Sequence, residues 1–209
     1  MVLIRKIDEK GNIMNYNKKK RLVIGMSGAS GAILGITLLE LMKEHTDWET
    51  HLVISKGAQL TIRDETEYTL DQVKELADYV YDNNNVGDAL ASGTFRTEGM
   101  VVIPCSMKTA AGIANGFSDN LLLRTADVTI KEGRKLIVVP RETPLSTIHL
   151  RNMLLLAEAG AMVIPPMVTY YNQPADIEDM NRQIVGKILD KFDIEVIGFK
   201  RWKDKEDNR

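Results

Sequence analysis

The stretch that most constrains the fold is residues 21–32, where an apolar run breaks into glycines and then becomes helical. The apolar run at 22–24 predicts a strand that is buried on both faces. Three glycines within 25–31 allow a sharp turn and a close approach of the backbone to a ligand. Apolar residues then recur at helical spacing over 32–43. Free N–H groups at the start of that helix would point at the turn and favour an anion.

The glycine spacing distinguishes this turn from two well-known nucleotide-binding motifs. Ser27 stands where the dinucleotide fingerprint has its second glycine, and no Gly-Lys-Ser/Thr follows as in a P-loop. Ser55 ends the next predicted strand, where a dinucleotide site usually has an acidic residue for the ribose. The turn therefore favours a mononucleotide over NAD. In the alternative interpretation, Ser30 only caps the helix and the glycines only pack it on the sheet.

Composition excludes several classes of function. The 27 basic and 29 acidic residues give a net charge of -2, which leaves no electrostatic footprint for nucleic acid or an anionic membrane. The single cysteine excludes an internal disulfide, and His45, His51 and His149 have no metal-ligand spacing. No apolar stretch reaches about 18 residues, and no signal-peptide core is present. We therefore expect a soluble cytoplasmic protein that binds a small molecule and no metal.

The rest of the chain alternates predicted strands with predicted helices, which is typical of a parallel sheet covered by helices on both faces. After the first strand and helix, strands are predicted at 49–55, 100–103, 136–139 and 162–164, and helices at 56–64, 69–79, 110–114, 120–131, 149–159 and 177–192. Residues 21–202 are expected to form a single domain. Residues 1–20 are expected to be a loosely ordered extension, and residues 203–209 a charged tail.

Polar residues follow several of the predicted strands, where open α/β sheets bind ligands. Ser55 suits a ligand contact and a helix N-cap equally well. Ser106 and Thr109 place hydroxyls in a second strand-to-helix turn. Arg141 and Glu142 form a charged pair between two prolines, which is either part of a site or a simple ion pair in a loop.

Other candidates have structural explanations of equal or greater weight. Arg124 and Lys131 are seven residues apart on a predicted helix and share a face, which is ordinarily a solvated stripe. Glu65 lies near a helix end, where a lone glutamate is normally at the surface. Cys105 has no histidine nearby in sequence to lower its pKa, so a buried packing role is favoured over a nucleophile.

Short motifs occur in a fixed order along residues 21–202. They are Gly28-Ala-Ser-Gly31, Pro104-Cys-Ser-Met-Lys-Thr109, Arg124-Thr-Ala-Asp127 with Lys131, Pro140-Arg-Glu-Thr-Pro144 with Ser146, and Tyr171-Asn-Gln-Pro174. Together they resemble the flavin prenyltransferases of the UbiX type, close to the branch encoded beside phenolic and hydroxyaryl acid decarboxylases. The resemblance implies an α/β, flavodoxin-like (Rossmann-like) three-layer fold with a central, mostly parallel sheet. It also implies a homododecamer with sites at subunit boundaries.

The resemblance implies a metal-independent alkyl transfer to a flavin. Members join the dimethylallyl group of dimethylallyl phosphate to N5 and then C6 of reduced FMN. The product, prenylated FMN, passes to a UbiD-type aromatic acid decarboxylase. Two alternatives remain: a flavin-dependent decarboxylase of the related cysteine-decarboxylating branch, and a noncatalytic flavin carrier. Met107 with Lys108, and Arg141 with Glu142, favour the prenyl branch.

The resemblance also implies roles for individual residues. Those at flavin-binding positions are Gly28, Ala29, Ser30, Ser55, Ser106, Met107, Lys108, Thr109 and Arg141. Those at dimethylallyl phosphate positions are Arg124, Lys131, Tyr171 and Lys187. Those near N5, implicated in proton transfer, are Ser30, Glu65 and Glu142. Lys187 stands where the family often has an arginine. Its ammonium group keeps the charge but lacks the planar guanidinium that binds two phosphate oxygens at once. Trp202 is a candidate aromatic face for an allyl cation, or a packing residue.

Overall fold

The computed structural model describes residues 3–7, 13–17 and 19–202. The strands in chain order are β1 Leu3–Ile7, β2 Ile13–Asn17, β3 Lys20–Met26, β4 Trp48–Ile54, β5 Tyr79–Tyr81, β6 Gly99–Cys105, β7 Lys135–Pro140 and β8 Met162–Val163. The helices are α1 Ala32–Met42, α2 Lys56–Glu65, α3 Leu70–Glu75, α4 Met107–Ala114, α5 Leu121–Lys131, α6 Thr147–Glu158 and α7 Ile177–Leu189. Short 3₁₀ turns lie at Ala89–Ala91 and Asp190–Phe192.

Within residues 19–202, the six strands from β3 to β8 form one parallel sheet in the order β5-β4-β3-β6-β7-β8. Counted from β3, this is the 3-2-1-4-5-6 order of doubly wound sheets. The order reverses between β3 and β6, so connections on either side of this point run in opposite directions. A crevice therefore opens beyond the carboxyl ends of these two strands.

Apolar side chains on the two faces of the sheet form two separate cores. Alternate residues of β3 divide between them, with Leu22 and Ile24 on one side and Val23 on the other. The first core packs beneath α1, α2, α3 and α7, and the second beneath α4, α5 and α6. Gly35 lets α1 lie close to β6, because an added Cβ would come within 2.7 Å of the Ile103 carbonyl oxygen. The expected three-layer α/β fold is confirmed.

The helix predicted over 69–79 is wrong in its second half. Thr69 caps α3, which ends at Glu75, and Tyr79–Tyr81 forms the edge strand β5. The carboxylate of Asp78 accepts hydrogen bonds from the N–H of Thr50 at 2.8 Å and from its hydroxyl at 3.0 Å. These bonds hold the start of β5 against β4. Because the contact joins residues that are distant in sequence, no periodic pattern of apolar residues predicts it.

The N-terminal segment contains two short strands, and the loosely ordered extension expected at 1–20 stays a prediction. Strands β1 and β2 pair antiparallel, with Leu3 opposite Asn17 and Ile7 opposite Ile13. The β-branched residues in these segments favour extended backbone. The tail at 203–209 lies outside the described residues, and the domain limits of 21 and 202 stay a prediction. No helix in the described part of the chain is both long enough and apolar enough to cross a membrane.

Candidate functional site

Two of the predicted turns meet at the crevice where the strand order reverses. Ser27 follows β3 and is buried, and its hydroxyl donates to the carbonyl oxygen of Pro104 at 3.1 Å. The hydroxyl oxygen of Ser27 also accepts from the N–H of Ser106 at 2.8 Å. One hydroxyl thus joins the glycine-rich turn after β3 to the turn after β6. These motifs, 77 residues apart along the chain, form one structural unit.

A third turn joins this unit through two glycines. A Cβ added to Gly28 would lie 2.8 Å from the Cα of Gly57, so the two backbones touch where any side chain would separate them. Gly57 lies in the first turn of α2, two residues after Ser55. The Ser55 hydroxyl accepts from the N–H of Ala58 at 3.2 Å, so the N-cap alternative for Ser55 is confirmed. Ala29, between the joined glycine and Ser30, is buried.

The second turn is organised by Ser106, the N-cap of α4. Its hydroxyl accepts from the N–H of Thr109 at 3.2 Å and donates to the Thr109 hydroxyl at 3.1 Å. Met107, half-buried, and Lys108, exposed, occupy the first turn of the helix. The flavin-binding positions implied for 106–109 therefore lie at the rim of the crevice, with the Lys108 charge facing solvent.

Glu65 caps the helix that follows the glycine-rich turn. Gly31 is the N-cap of α1, with a φ of 99°, and has no side-chain cap of its own. The Glu65 carboxylate accepts from the N–H of Gly31 at 2.8 Å and of Ala32 at 3.4 Å. The alternative in which Ser30 caps this helix is therefore wrong.

This cap also corrects the expectation that N–H groups at the start of α1 are free for a ligand anion. A carboxylate of the chain itself already meets the partial positive charge at this helix end. Glu65 is exposed, as expected for a glutamate near a helix end, but it contacts the glycine-rich turn directly. Ser30, half-buried, sits directly before the capped Gly31.

The loop after β7 attaches to the same group of turns. The N–H of Arg141 donates to the carbonyl oxygen of Cys105 at 3.2 Å, which places this loop beside the second turn. Arg141 and Glu142 are both exposed. The Glu142 carboxylate accepts from the N–H of Thr143 at 3.0 Å. A carboxylate and a guanidinium therefore stand at the edge of the crevice.

Arg124 and Lys131 lie on α5, and each contacts a neighbouring acid. Arg124 pairs with Asp127 at 2.7 Å, and Lys131 pairs with Glu132 at 2.6 Å. The loop at 91–96 comes against the second pair, because a Cβ added to Gly93 would lie 3.1 Å from the Lys131 Nζ. The guanidinium of Arg134 binds the carbonyl oxygens of two residues of this loop and so holds it there.

Tyr171 and Lys187 line a separate cavity of about 370 Å³ between the segment after β8, α7 and the C-terminal segment. The Tyr171 hydroxyl donates to the Lys200 carbonyl oxygen at 3.2 Å and accepts from the Gln183 amide at 3.2 Å. The ring of Trp202 meets the Tyr171 ring edge to face, with centroids 5.2 Å apart. The cavity combines an aromatic wall with charged groups.

The residues expected around one phosphate fall into two groups within the chain. Arg124 and Lys131 are carried by α5, which covers one face of the sheet. Lys187 is carried by α7, which packs with α1 on the other face, and Tyr171 contacts Gln183 of the same helix. The lining of the Tyr171 cavity includes neither of the α5 cations. The chain alone therefore does not bring the four residues together.

Sequence reasoning missed several residues that organise these sites. Ser27 joins two turns, and Asp190 and Arg201 line the cavity with Lys187. The only available signal for Arg201 was its position next to Trp202. Within the described ranges, no cluster of three or more His, Cys, Asp or Glu residues has the arrangement of a metal site.

Cys105 is fully buried between the turns, which confirms the packing role expected for it. Burial raises the pKa of its thiol to about 12. A thiolate is the reactive form of cysteine, and it is scarce in the folded protein at any pH below this value. Because an exposed thiol ionises near about 8.5, the unfolded chain loses its proton first. This thiol therefore lowers the stability of the fold as the pH rises from that value towards the folded pKa.

We expect Cys105 of the native protein to resist alkylation by iodoacetamide at pH 8, and to react fully in guanidinium chloride. The measurement is the protein mass after timed exposure, with and without denaturant. Rapid stoichiometric labelling of the native protein would show an accessible, activated thiol and would reopen the nucleophile interpretation.

Residues 12–193 of the chain match the sequence profile of the Flavoprotein family. A probable UbiX-like flavin prenyltransferase from Sedimentibacter hydroxybenzoicus is 50% identical over 188 residues, which cover 90% of this chain and 100% of the relative. The structure of AnUbiX (PadA1) in complex with FMN and dimethylallyl pyrophosphate is 49% identical, with a TM-score of 0.87 over 89% of this chain and 98% of that chain.

A dodecameric FMN-dependent UbiX-like decarboxylase from Escherichia coli O157:H7 is also 49% identical, with a TM-score of 0.86 over 88% of this chain and 100% of that chain. A peptidyl-cysteine decarboxylase, at 24% identity and a TM-score of 0.56, shares the fold alone. The UbiX-like relatives are thus 49% to 50% identical to the chain, whereas the peptidyl-cysteine decarboxylase is 24% identical.

Proposed function

Because the chain belongs to the UbiX-like flavin prenyltransferases of the Flavoprotein family, we propose that it joins the dimethylallyl group of dimethylallyl phosphate to N5 and C6 of reduced FMN. The observation that carries this proposal is that three strand-to-helix turns contact one another at the crevice between β3 and β6. Ser27 and the Gly28–Gly57 contact join these turns, and the Arg141 loop completes the rim of the crevice. Ligands of doubly wound sheets bind at such a crevice.

The residues at this crevice fit a flavin mononucleotide. The glycine-rich turn has no side chain that would obstruct the flat flavin ring. The serine and threonine hydroxyls can form hydrogen bonds with the polar chain that joins the ring of FMN to its phosphate. The exposed Lys108 and Arg141 supply positive charge for a phosphate. We assign FMN binding to Gly28, Ala29, Ser30, Ser55, Ser106, Met107, Lys108, Thr109 and Arg141. Reduced FMN supplies the nucleophilic nitrogen and ring carbon of the reaction.

The cationic residues suit the other substrate. Breaking the allylic C–O bond leaves negative charge on the departing phosphate and a carbocation on the dimethylallyl group. Arg124, Lys131 and Lys187 can receive that negative charge, together with the Tyr171 hydroxyl. A fixed donor at such a position contributes about 3 to 4 kcal/mol. An aromatic face such as Trp202 can stabilise the allyl cation. Side-chain charges thus take the part that a metal ion plays in other phosphate chemistry.

Bond formation at N5 and at C6 each displaces a proton from the flavin, and closing the ring at C6 also requires a proton to be added to the dimethylallyl double bond. One proton is therefore lost overall, and a carboxylate can both accept and return a proton in such a sequence. Glu142 stands exposed at the rim with one oxygen on the Thr143 N–H. Glu65 already accepts from two backbone N–H groups, so we assign to it the placement of the Ser30 turn. We propose that the proton-accepting role falls to Glu142, and that the Ser30 hydroxyl also takes part in proton transfer.

The division of the cations between two faces of the sheet supports an assembly in which one site draws on more than one copy of the chain. Large apolar side chains are exposed on α6 and on the segment after β8. Ile148 and Leu154 of α6 are 67% and 57% exposed, and Met167 and Tyr170 are each 74% exposed. These side chains are available for contacts between copies of the chain. We propose a homododecamer, the state of the relative from Escherichia coli O157:H7.

The proposed product, prenylated FMN, has no further chemistry to undergo in this protein. We propose that it passes to a UbiD-type aromatic acid decarboxylase. The single free cysteine fits the reducing cytoplasm as the place of the reaction.

We expect the protein to bind FMN rather than NAD and, in the absence of oxygen, to add one isoprene unit to reduced FMN when dimethylallyl phosphate is present. The measurement is the mass of the extracted flavin, with a parallel reaction in excess chelator that is expected to give the same yield. An unaltered flavin would leave a carrier, and carbon dioxide released from a peptide with a C-terminal cysteine would indicate the decarboxylase alternative. Tight NAD binding without FMN affinity would contradict the assignment of the crevice.

A further inference from the structure

The cavity that holds Tyr171 carries three charged residues, of which sequence resemblance singles out only Lys187. The others are Asp190 and Arg201. Lys187 and Asp190 lie three residues apart at the end of α7, and the chain then returns to bring Arg201 to the same cavity. Two cations therefore face one anion at the wall of this cavity.

The guanidinium of Arg201 is held in a defined position. Its Nη2 donates to the Asp190 carboxylate at 2.6 Å, and its central carbon lies 5.3 Å from the centroid of the Phe199 ring. The hydrogen bond from Arg201 is the main reason that the pKa of Asp190 lies below its usual value, and the charges of Lys191 and Lys187 add to the effect. Asp190 is thus an anion at neutral pH, and the three side chains together carry a positive charge.

Resting on the proposed function, we propose that Arg201 is a further phosphate-binding residue for dimethylallyl phosphate, and that Asp190 is the positioning residue that holds its guanidinium at the cavity wall. A carboxylate and a phosphate present oxygens to a guanidinium in similar geometry. The orientation that Asp190 imposes on Arg201 is therefore one that a phosphate can use.

Arg201 supplies what the lysine at 187 lacks. An ammonium group binds phosphate as a point charge, whereas a guanidinium offers a planar fork for two oxygens at once. Lys187 and Arg201 line the same cavity. The site therefore combines an ammonium group on a flexible side chain with a guanidinium that Asp190 holds in one orientation. Arg201 thus provides the bidentate geometry that an arginine at 187 would otherwise give.

Asp190 affects phosphate binding in two opposing ways, so two different substitutions of this residue are expected to have different effects. Its oxygen positions Arg201, but its negative charge repels an arriving phosphate. An Asp190→Asn change keeps an oxygen acceptor for the guanidinium and removes the charge, so phosphate should bind more tightly. An Asp190→Ala change removes both, and Arg201 loses its orientation, so phosphate should bind more weakly. Opposite signs are expected from two variants at one position.

The test compares Arg201→Gln, Arg201→Lys, the two Asp190 variants and Arg182→Gln. Arg182 is an arginine on α7, the helix that precedes Asp190, but it does not line the cavity, which makes it a matched control. Two quantities are measured: the KM for dimethylallyl phosphate in anaerobic turnover, and the affinity for inorganic phosphate by calorimetry in the absence of flavin. The Kd for FMN is measured for each variant to show that the flavin crevice is unaltered.

Arg201→Gln is expected to raise the KM on the order of 10- to 100-fold, since a hydrogen bond to a charged group is lost. Inorganic phosphate should bind correspondingly more weakly, Arg201→Lys should recover part of the loss, and Arg182→Gln should match the wild type. If Arg201→Gln keeps wild-type values for both quantities, or if the two Asp190 variants shift phosphate binding in the same direction, the proposal is overturned. Phosphate calorimetry tests it even if the wild type forms no prenylated flavin, so the two failures are distinguishable.

Discussion

The Glu142→Gln variant is expected to bind FMN normally yet lose about 10² to 10⁴ in the rate of prenyl transfer, the usual scale of general acid-base catalysis. Glutamine keeps the size of the side chain and the oxygen that meets the Thr143 N–H. It loses only the ability to take up a proton. Flavin affinity and chemistry should therefore separate in this variant.

The rate is measured in a single turnover without oxygen, at several concentrations of dimethylallyl phosphate, with the FMN Kd determined in parallel. Glu44→Gln is the matched control, since Glu44 is exposed between α1 and β4 at the opposite edge of the sheet. Lys131→Ala should behave differently from Glu142→Gln, because its main defect should be in the use of dimethylallyl phosphate. Wild-type kinetics in Glu142→Gln would move the proton-accepting role to Ser30 or Glu65.

Lys131→Ala and Lys187→Ala are each expected to lose about 10² to 10³ in activity. Their co-expression should restore activity, because the two residues lie on opposite faces of the sheet. If one copy supplies α5 and another supplies α7 to each site, a mixed assembly contains sites with both residues intact. Random mixing in a symmetric assembly gives about a quarter of the sites this composition.

The matched control is a mixture of Arg124→Ala and Lys131→Ala. Both residues are carried by α5, so every site in that mixture receives one damaged helix and no activity should return. Different affinity tags on the two chains establish that mixed assemblies have formed. A mixed Lys131 and Lys187 assembly with no recovery would mean that each copy builds its site alone.

The sequence was a good guide to those parts of the fold that depend on neighbours along the chain. The strand at 22–24, the glycine-rich turn and the helix that follows are all local patterns, and their types were correctly predicted. The edge strand β5 was missed because the contact of Asp78 with Thr50, rather than any periodicity, determines it. The Met107–Ala114 helix was placed from small residues after a strand, and only its start was late.

The resemblance suggests which residues belong to the site, and their roles stay predictions, but the sequence does not show how these residues are connected. Resemblance identified Ser30 and Glu65, but nothing in the sequence indicates that Glu65 reaches across 34 positions to cap α1. Arg201 was missed for a similar reason, since its partner Asp190 is on another element. Contacts of this kind depend on how helices pack on the sheet, and no spacing rule records them.

The cap that Glu65 places on Gly31 and Ala32 has a thermodynamic consequence. Because a side chain of the protein already satisfies these N–H groups, the turn is preorganised before any ligand arrives. Ordering a loop on binding costs free energy that subtracts from affinity. A flavin that meets this turn encounters little such cost, so its association should be rapid and its binding entropy should carry little penalty from the backbone.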